Sequence, residues 1–360
     1  MAKYIEERDG GISADASNIF LTTGASDAIR TVMKLLLHAE GTTPVGVMIP
    51  LPQYPLYSAT ISEFGARQIS YYLNEEAGWS LDSAELKRAI GEARGDCNPG
   101  AICVINPGNP TGQVLTRENI ENVIRFAKEE GLFILADEVY QSNVYAPGSK
   151  FYSFKRVMME MGGEYAEVPL ASFHSMSKGW QGECGLRGGY MEVVNLDPFV
   201  KAQMVKLVST KLCSSTIGQC AMSIVTDEPK PGDPSYDLFI VEKTAVLDTL
   251  KAKAQLVAET FNSIPGISCQ PVMGAMYTFP SIDLPGKALE AAKADGKTPD
   301  AFYCFALLEE TGLCVVPGSG FGQKPGTFHF RMTILPPFDV IEKNMGLFKD
   351  FHSKFMEKYA

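Results

Sequence analysis

Apolar residues in this chain come in short continuous runs, separated by longer stretches with helical spacing. The runs "NIFLTTGAS", "VGVMIP", "AICVINPGNPTG", "LFILADEVY" and "VPLASFHSMSK" each stop at polar or turn residues. Continuous rather than alternating hydrophobicity suits strands buried on both faces, as in a parallel sheet covered by helices. Between two of them, "TRENIENVIRFAKEEG" predicts a helix capped by Thr116 and closed by Gly131. "DAIRTVMKLLLHA" places Ile29, Val32, Met33, Leu36 and Leu37 on one helical face. From "PSYDLFIVEK" the pattern becomes one long helix ending at Pro265 and Gly266. Shorter strands follow at "GAMYTFPSI", "LCVVPGS" and "TFHFRMTIL". The expectation is an α/β fold: a large domain with a mainly parallel sheet over residues 1–235, then a linking helix and a smaller α+β domain over 236–360. The stretch "EPKPGDPSYD" at 228–237 is the strongest loop candidate, and no internal repeat or low-complexity tract is visible.

Composition narrows the classes. The chain has 360 residues, 45% of them hydrophobic, enough for a large core. Its 32 basic and 42 acidic residues give a formal net charge of -10, which offers no broad footprint for nucleic acid or an anionic membrane. The eight cysteines form no CxxC and no zinc-ligand spacing, and read as free thiols. The longest apolar runs are too short to span a bilayer. The opening, "AKYIEERDGG", reads as the end of a helix, so the chain is expected to be an N-terminally incomplete form. Neither GxGxxG nor GxxxxGK[ST] occurs, which argues against a nucleotide-dependent enzyme.

In open α/β sheets, ligands sit beyond the carboxyl ends of the strands. The residues that end the apolar runs therefore carry the chemistry. Lys178 closes "SMSK" among small neighbours that leave room for a bulky adduct. It is either a surface lysine or an amine nucleophile for a carbonyl. Asp137 follows "LFILA", where a carboxylate is costly unless paired. It is either a loop or capping aspartate or the partner of a pyridinium nitrogen. Tyr140 lies three residues on, either as a core tyrosine or within reach of the same ligand. Asn109, in the proline-fixed loop "NPGNPTG", has a donor for a phenolate oxygen. Gly24, Ala25 and Ser26 open a helix whose amides suit a phosphate, and Ser175 and Arg187 supply further donors for one. Arg331, inside the apolar run "FHFRMT", either makes an internal salt bridge or grips a carboxylate. Tyr54 is either core packing or a stacking surface for an aromatic ligand. His38, His174, His329 and His352 have no partner spacing and read as structural or solvent-facing.

The order "GAS", "PQY", "NPGNPTG", "DEVY", "SMSK", "GLRGGY", "FHFRMT" resembles the class I/II pyridoxal-phosphate aminotransferases of fold type I, over nearly the whole chain. The resemblance implies that Lys178 carries pyridoxal 5'-phosphate as an aldimine and that Asp137 pairs with the ring nitrogen. Asn109 and Tyr140 would contact the ring oxygen, and Tyr54 would stack on the ring. Ala25, Ser26, Ser175 and Arg187 would hold the phosphate, and Arg331 the substrate carboxylate. "SKGWQGECGLRGGYMEVVN" with "RDGG" is most similar to the alanine-specific branch. That implies ping-pong transfer from L-alanine to 2-oxoglutarate, amino acids and 2-oxo acids as small-molecule partners, a homodimer, and a cytoplasmic or mitochondrial-matrix location. An aminotransferase of other specificity, a lyase with the same cofactor, and a truncated non-catalytic cofactor-binding chain stay open. The family pattern has a longer N-terminal region ahead of "RDGG", which this chain lacks.

Overall fold

The computed structural model describes residues 1–37 and 43–360; His38 lies outside the described residues. After a short helix α1 (Ala2–Arg8), strands and helices alternate: β1 (Ile19–Thr22), α2 (Ala25–Leu36), β2 (Val45–Leu51), α3 (Leu56–Glu63), β3 (Arg67–Tyr72), α4 (Ser83–Ala93), β4 (Asn98–Ile105), α5 (Arg117–Glu130), β5 (Phe133–Asp137), α6 (Phe154–Met161), β6 (Leu170–Ser175) and β7 (Gly189–Val194). These strands form one seven-stranded sheet in the order β1-β7-β6-β5-β4-β2-β3. The five strands from β6 to β3 are parallel, and β7 runs against both β6 and β1.

The continuous apolar runs are explained by two cores, one on each face of the sheet. Along β2, Met48 packs into one core while Val47 and Ile49 enter the other. Along β4, Ile102 and Val104 face the first, and Ala101, Cys103 and Ile105 the second. The period of two is present, but both faces are apolar. Helix α5 is capped as its sequence requires. Thr116 and Asn119 form a reciprocal box at its start, and Gly131 closes it in a left-handed conformation at φ 69°.

Helices α7 (Pro198–Ser209) and α8 (Thr216–Thr226) lead to α9 (Tyr236–Asn262). Only the second half of α9 is buried, at Leu250, Ala254, Val257 and Phe261, a helical stripe. That stripe enters a third core built from the elements that follow: β8 (Ile267–Ser268), β9 (Tyr277–Thr278), β10 (Ser281–Ile282), α10 (Gly286–Ala294), α11 (Pro299–Thr311), β11 (Val316–Pro317), β12 (Phe330–Thr333) and α12 (Phe338–Tyr359). β12 is the middle strand between β11 and β9. Among the described residues no helix is long and apolar enough to cross a membrane, and the eight cysteines are free thiols.

Candidate active site

Strand direction gathers the residues singled out in the sequence at one edge of the sheet. Strands β2, β4, β5 and β6 exit there towards Tyr54, Asn109, Asp137 and Lys178. Because β7 runs the other way, its entry sits at that edge: Gly189 is opposite both Ser175 and Thr22. This brings Arg187 beside Gly24, although they are far apart in sequence.

Asp137 ends β5 and is only 3% exposed. The phenol of Tyr57 donates to its Oδ2 at 3.0 Å, and the amide of Val139 donates to Oδ1 at 3.4 Å. Burial pushes the carboxyl up to about 6, against the pull of these donors and of the Lys178 charge. Among the described residues no cation contacts it; the Lys178 charge acts only from a distance, so this buried acid has no direct ionic partner. Next to it, Glu138 is pushed up to about 7 by burial, eased by the buried Arg8 guanidinium, which donates to it. Arg8 in turn pairs with Asp9, so the "RDGG" stretch is anchored behind the site.

Lys178 follows β6 in a turn. Its Nζ stands 5.8 Å from the centre of the Tyr140 ring, and among the described residues no carboxylate pairs with it. Asn143 fixes this turn: its Oδ1 accepts from the amide of Gly179 at 2.8 Å. Tyr140 is buried, and burial, then the neighbouring Tyr277 hydroxyl, hold its phenol well above the usual range. Tyr140 donates to Tyr277 at 3.3 Å.

The edge near α2 forms an anion cradle. Gly24, at φ 97°, precedes α2 without a side-chain cap, so the first amides of the helix are open to an acceptor. Arg187 lies directly over it, donating to the Thr23 carbonyl at 3.1 Å and to the Ser177 hydroxyl at 3.4 Å. A Cβ at Gly24 would collide with the Arg187 guanidinium. Ser175 is buried, and its hydroxyl accepts from the Ser177 amide at 2.9 Å.

Arg331 comes from β12. Its guanidinium lies 4.3 Å from the Tyr277 ring centre and 4.6 Å from that of Phe321. Its Nη1 donates to Asn109 Oδ1 at 3.2 Å. Among the described residues no carboxylate pairs with it, so the internal salt bridge allowed by the sequence is not formed. Tyr54 is 39% exposed; the core tyrosine of its segment is Tyr57. His174, His329 and His352 are buried in aromatic surroundings, and burial pushes His174 down to about 3.

Sequence reasoning missed Tyr57, Tyr277, Phe321 and Asn143. The only available signal for Tyr57 was its position one helical turn after Tyr54. Tyr277 sat in a run read simply as a strand.

An unpaired buried carboxylate, a lone amine, an open helix N-terminus beneath an arginine and a free guanidinium are a donor set that fits pyridoxal phosphate with an amino-acid substrate. The comparisons agree. The family described as aminotransferase class I and II matches residues 1–340. Alanine aminotransferase 1 of Homo sapiens is 61% identical over this whole chain, which spans 73% of its length. Alanine aminotransferase 2-like of Danio rerio is 60% identical over the whole chain, which spans 66% of its length. Among solved structures, the alanine aminotransferase of Pyrococcus furiosus superposes with a TM-score of 0.81 over 98% of this chain and 80% of its own, at 24% identity, a likeness of fold. Enzymes of this family use pyridoxal phosphate, and the chain belongs to the class I and II aminotransferases.

Proposed function

We propose that the protein transfers the amino group of L-alanine to 2-oxoglutarate, giving pyruvate and L-glutamate. The observation that carries this reading is Lys178, whose amine lies over the Tyr140 ring, has no carboxylate partner among the described residues and acts electrostatically on the buried Asp137. The choice of alanine is supported by relatives of that name about 60% identical across the chain.

When bound, pyridoxal phosphate supplies an aldehyde for the amino group and a ring that accepts electrons. Arg187, Ser175 and the open amides of Ala25 and Ser26 hold its phosphate. Asp137 would meet the ring nitrogen, where a cation would favour its ionised form. Asn109 and Tyr140 would meet the ring oxygen, and Tyr54 would cover a ring face. Lys178 supplies the amine that meets the aldehyde. Freed from the aldehyde, the same amine would hold and return the proton of the substrate Cα, as general base and acid. Arg331 grips the α-carboxylate with the N–H groups that Asn109 leaves free. Donor and acceptor use the site in turn, which gives ping-pong kinetics.

The same reading makes residues 1–235 the cofactor-binding domain and residues 236–360 the linking helix and small domain. It also makes the protein a homodimer. Phe199, Leu212, Ile217, Ile224, Leu238 and Val241 stand exposed on α7, α8, α9 and the segment between α7 and α8, apolar side chains suited to contact with a second copy. The free thiols suit the cytoplasm or the mitochondrial matrix. A substrate panel tests the assignment. With pyridoxal phosphate and 2-oxoglutarate, L-alanine is expected to give pyruvate and glutamate in equal amounts. Faster turnover with an aromatic donor would contradict the alanine assignment.

A further inference from the structure

Tyr277 touches both halves of the site. Its backbone is fixed: Tyr277 pairs with Thr333, two residues beyond Arg331 on β12, and its carbonyl abuts Gly112. One ring face carries the Arg331 guanidinium at 4.3 Å, and its hydroxyl accepts from Tyr140 at 3.3 Å. Phe321 also carries the guanidinium over its ring, at 4.6 Å. Phe321 is itself held, its carbonyl accepting from the Gln53 amide at 2.8 Å and its ring packing on Phe279.

Two rings within cation–π range of one guanidinium restrict its plane. Only the N–H edge is then left for a carboxylate, and Asn109 occupies part of that edge. An unheld arginine would lose more side-chain freedom on gripping a ligand. The hydroxyl does separate work. A phenol has one proton, and in the structure Tyr140 gives its proton to Tyr277. Rotation of both hydroxyls lets Tyr277 donate to Tyr140 and frees the Tyr140 proton for an acceptor in the site.

We infer that Tyr277 is a positioning residue for both halves of the site: its ring aims Arg331 at the substrate carboxylate, and its hydroxyl sets which way Tyr140 donates. The inference rests on the proposed roles of Arg331 and Tyr140. The test measures binding, with no turnover required. The chain loaded with pyridoxal phosphate is titrated calorimetrically with 2-oxoglutarate, and cofactor affinity is measured in parallel for Tyr277→Phe, Tyr277→Leu and Phe321→Leu. Tyr277→Phe is expected to hold 2-oxoglutarate within about twofold of the unsubstituted chain and to release cofactor about fivefold more easily, the worth of one hydrogen bond. Tyr277→Leu is expected to weaken 2-oxoglutarate binding about tenfold, and Phe321→Leu to match it without touching the hydroxyl. Melting temperatures establish that each variant is folded, and Phe321→Leu reports on the aromatic contacts of the guanidinium if Tyr277→Leu does not fold. Equal 2-oxoglutarate affinity in the leucine variants and Tyr277→Phe overturns the inference while leaving the proposed function standing. Equal affinity in the unsubstituted chain and Arg331→Ala removes Arg331 from its role, and the inference falls with it.

Discussion

Burial leaves Asp137 with a phenol and one long backbone contact, and its carboxyl is pushed up to about 6. In the cofactor-free chain this makes the acid a source of instability at neutral pH. An unfolded aspartate titrates near 3.9, so between about pH 4 and 6 the folded chain holds more protons than the unfolded one. Stability therefore falls as pH rises through that window, by up to about 3 kcal/mol from this group. Asp137→Asn removes the titration. The variant without cofactor is expected to melt above the unsubstituted chain at pH 8 and to match it more closely at pH 4. It is also expected to bind pyridoxal phosphate more weakly. Thermal unfolding at the two pH values checks the sign; a variant less stable at pH 8 would show that the acid is already satisfied. Asp137, Lys178 and Arg331 were legible in the sequence because each sets a charge against an apolar run. Tyr57 and Tyr277 were not, because a tyrosine in such a run reads equally well as core.

At the scale of elements, most of the fold followed from the apolar pattern and the caps. The ends of α5 are where Thr116 and Gly131 place them. The edge strand β3 and the antiparallel β7 went unnamed, because "RQISYY" alternates weakly and "GYMEVV" follows a stretch read for Lys178, Arg187 and its resemblance rather than for a strand. That matters for the site, since the reversal of β7 is what seats Arg187 over Gly24. Two glycines separate the element from its function. Gly131 has a left-handed φ and open space around it, so Gly131→Ala is expected to cost about 1 kcal/mol of stability and leave cofactor affinity unchanged. Gly24→Ala strains a backbone held at φ 97° and pushes the Arg187 guanidinium aside, so it is expected to cost stability as well and to weaken cofactor binding about tenfold. Chemical denaturation and cofactor titration on the same two proteins separate the effects. Equal cofactor affinities would mean that the cradle at α2 does not hold the phosphate.

For the whole molecule, the exposed apolar side chains on α7, α8 and α9 are the feature that the chain alone does not explain. Charge placed there tests the homodimer. Phe199→Asp combined with Ile224→Asp is expected to shift the protein from dimer to monomer in sedimentation velocity. Exposed positions tolerate the change with little loss of fold stability. An unsubstituted chain that already sediments as a monomer would contradict the dimer. This exposure could not be read from sequence, because half of α9 looks like any amphipathic helix until the third core has taken its other half. The relation between Lys178 and the rest of the site is the central claim, and an absorption spectrum tests it most directly. With pyridoxal phosphate added, the purified chain is expected to show a visible band that L-alanine removes and 2-oxoglutarate restores, and Lys178→Ala is expected to show no such cycle. A cycle that persists in Lys178→Ala would contradict the account.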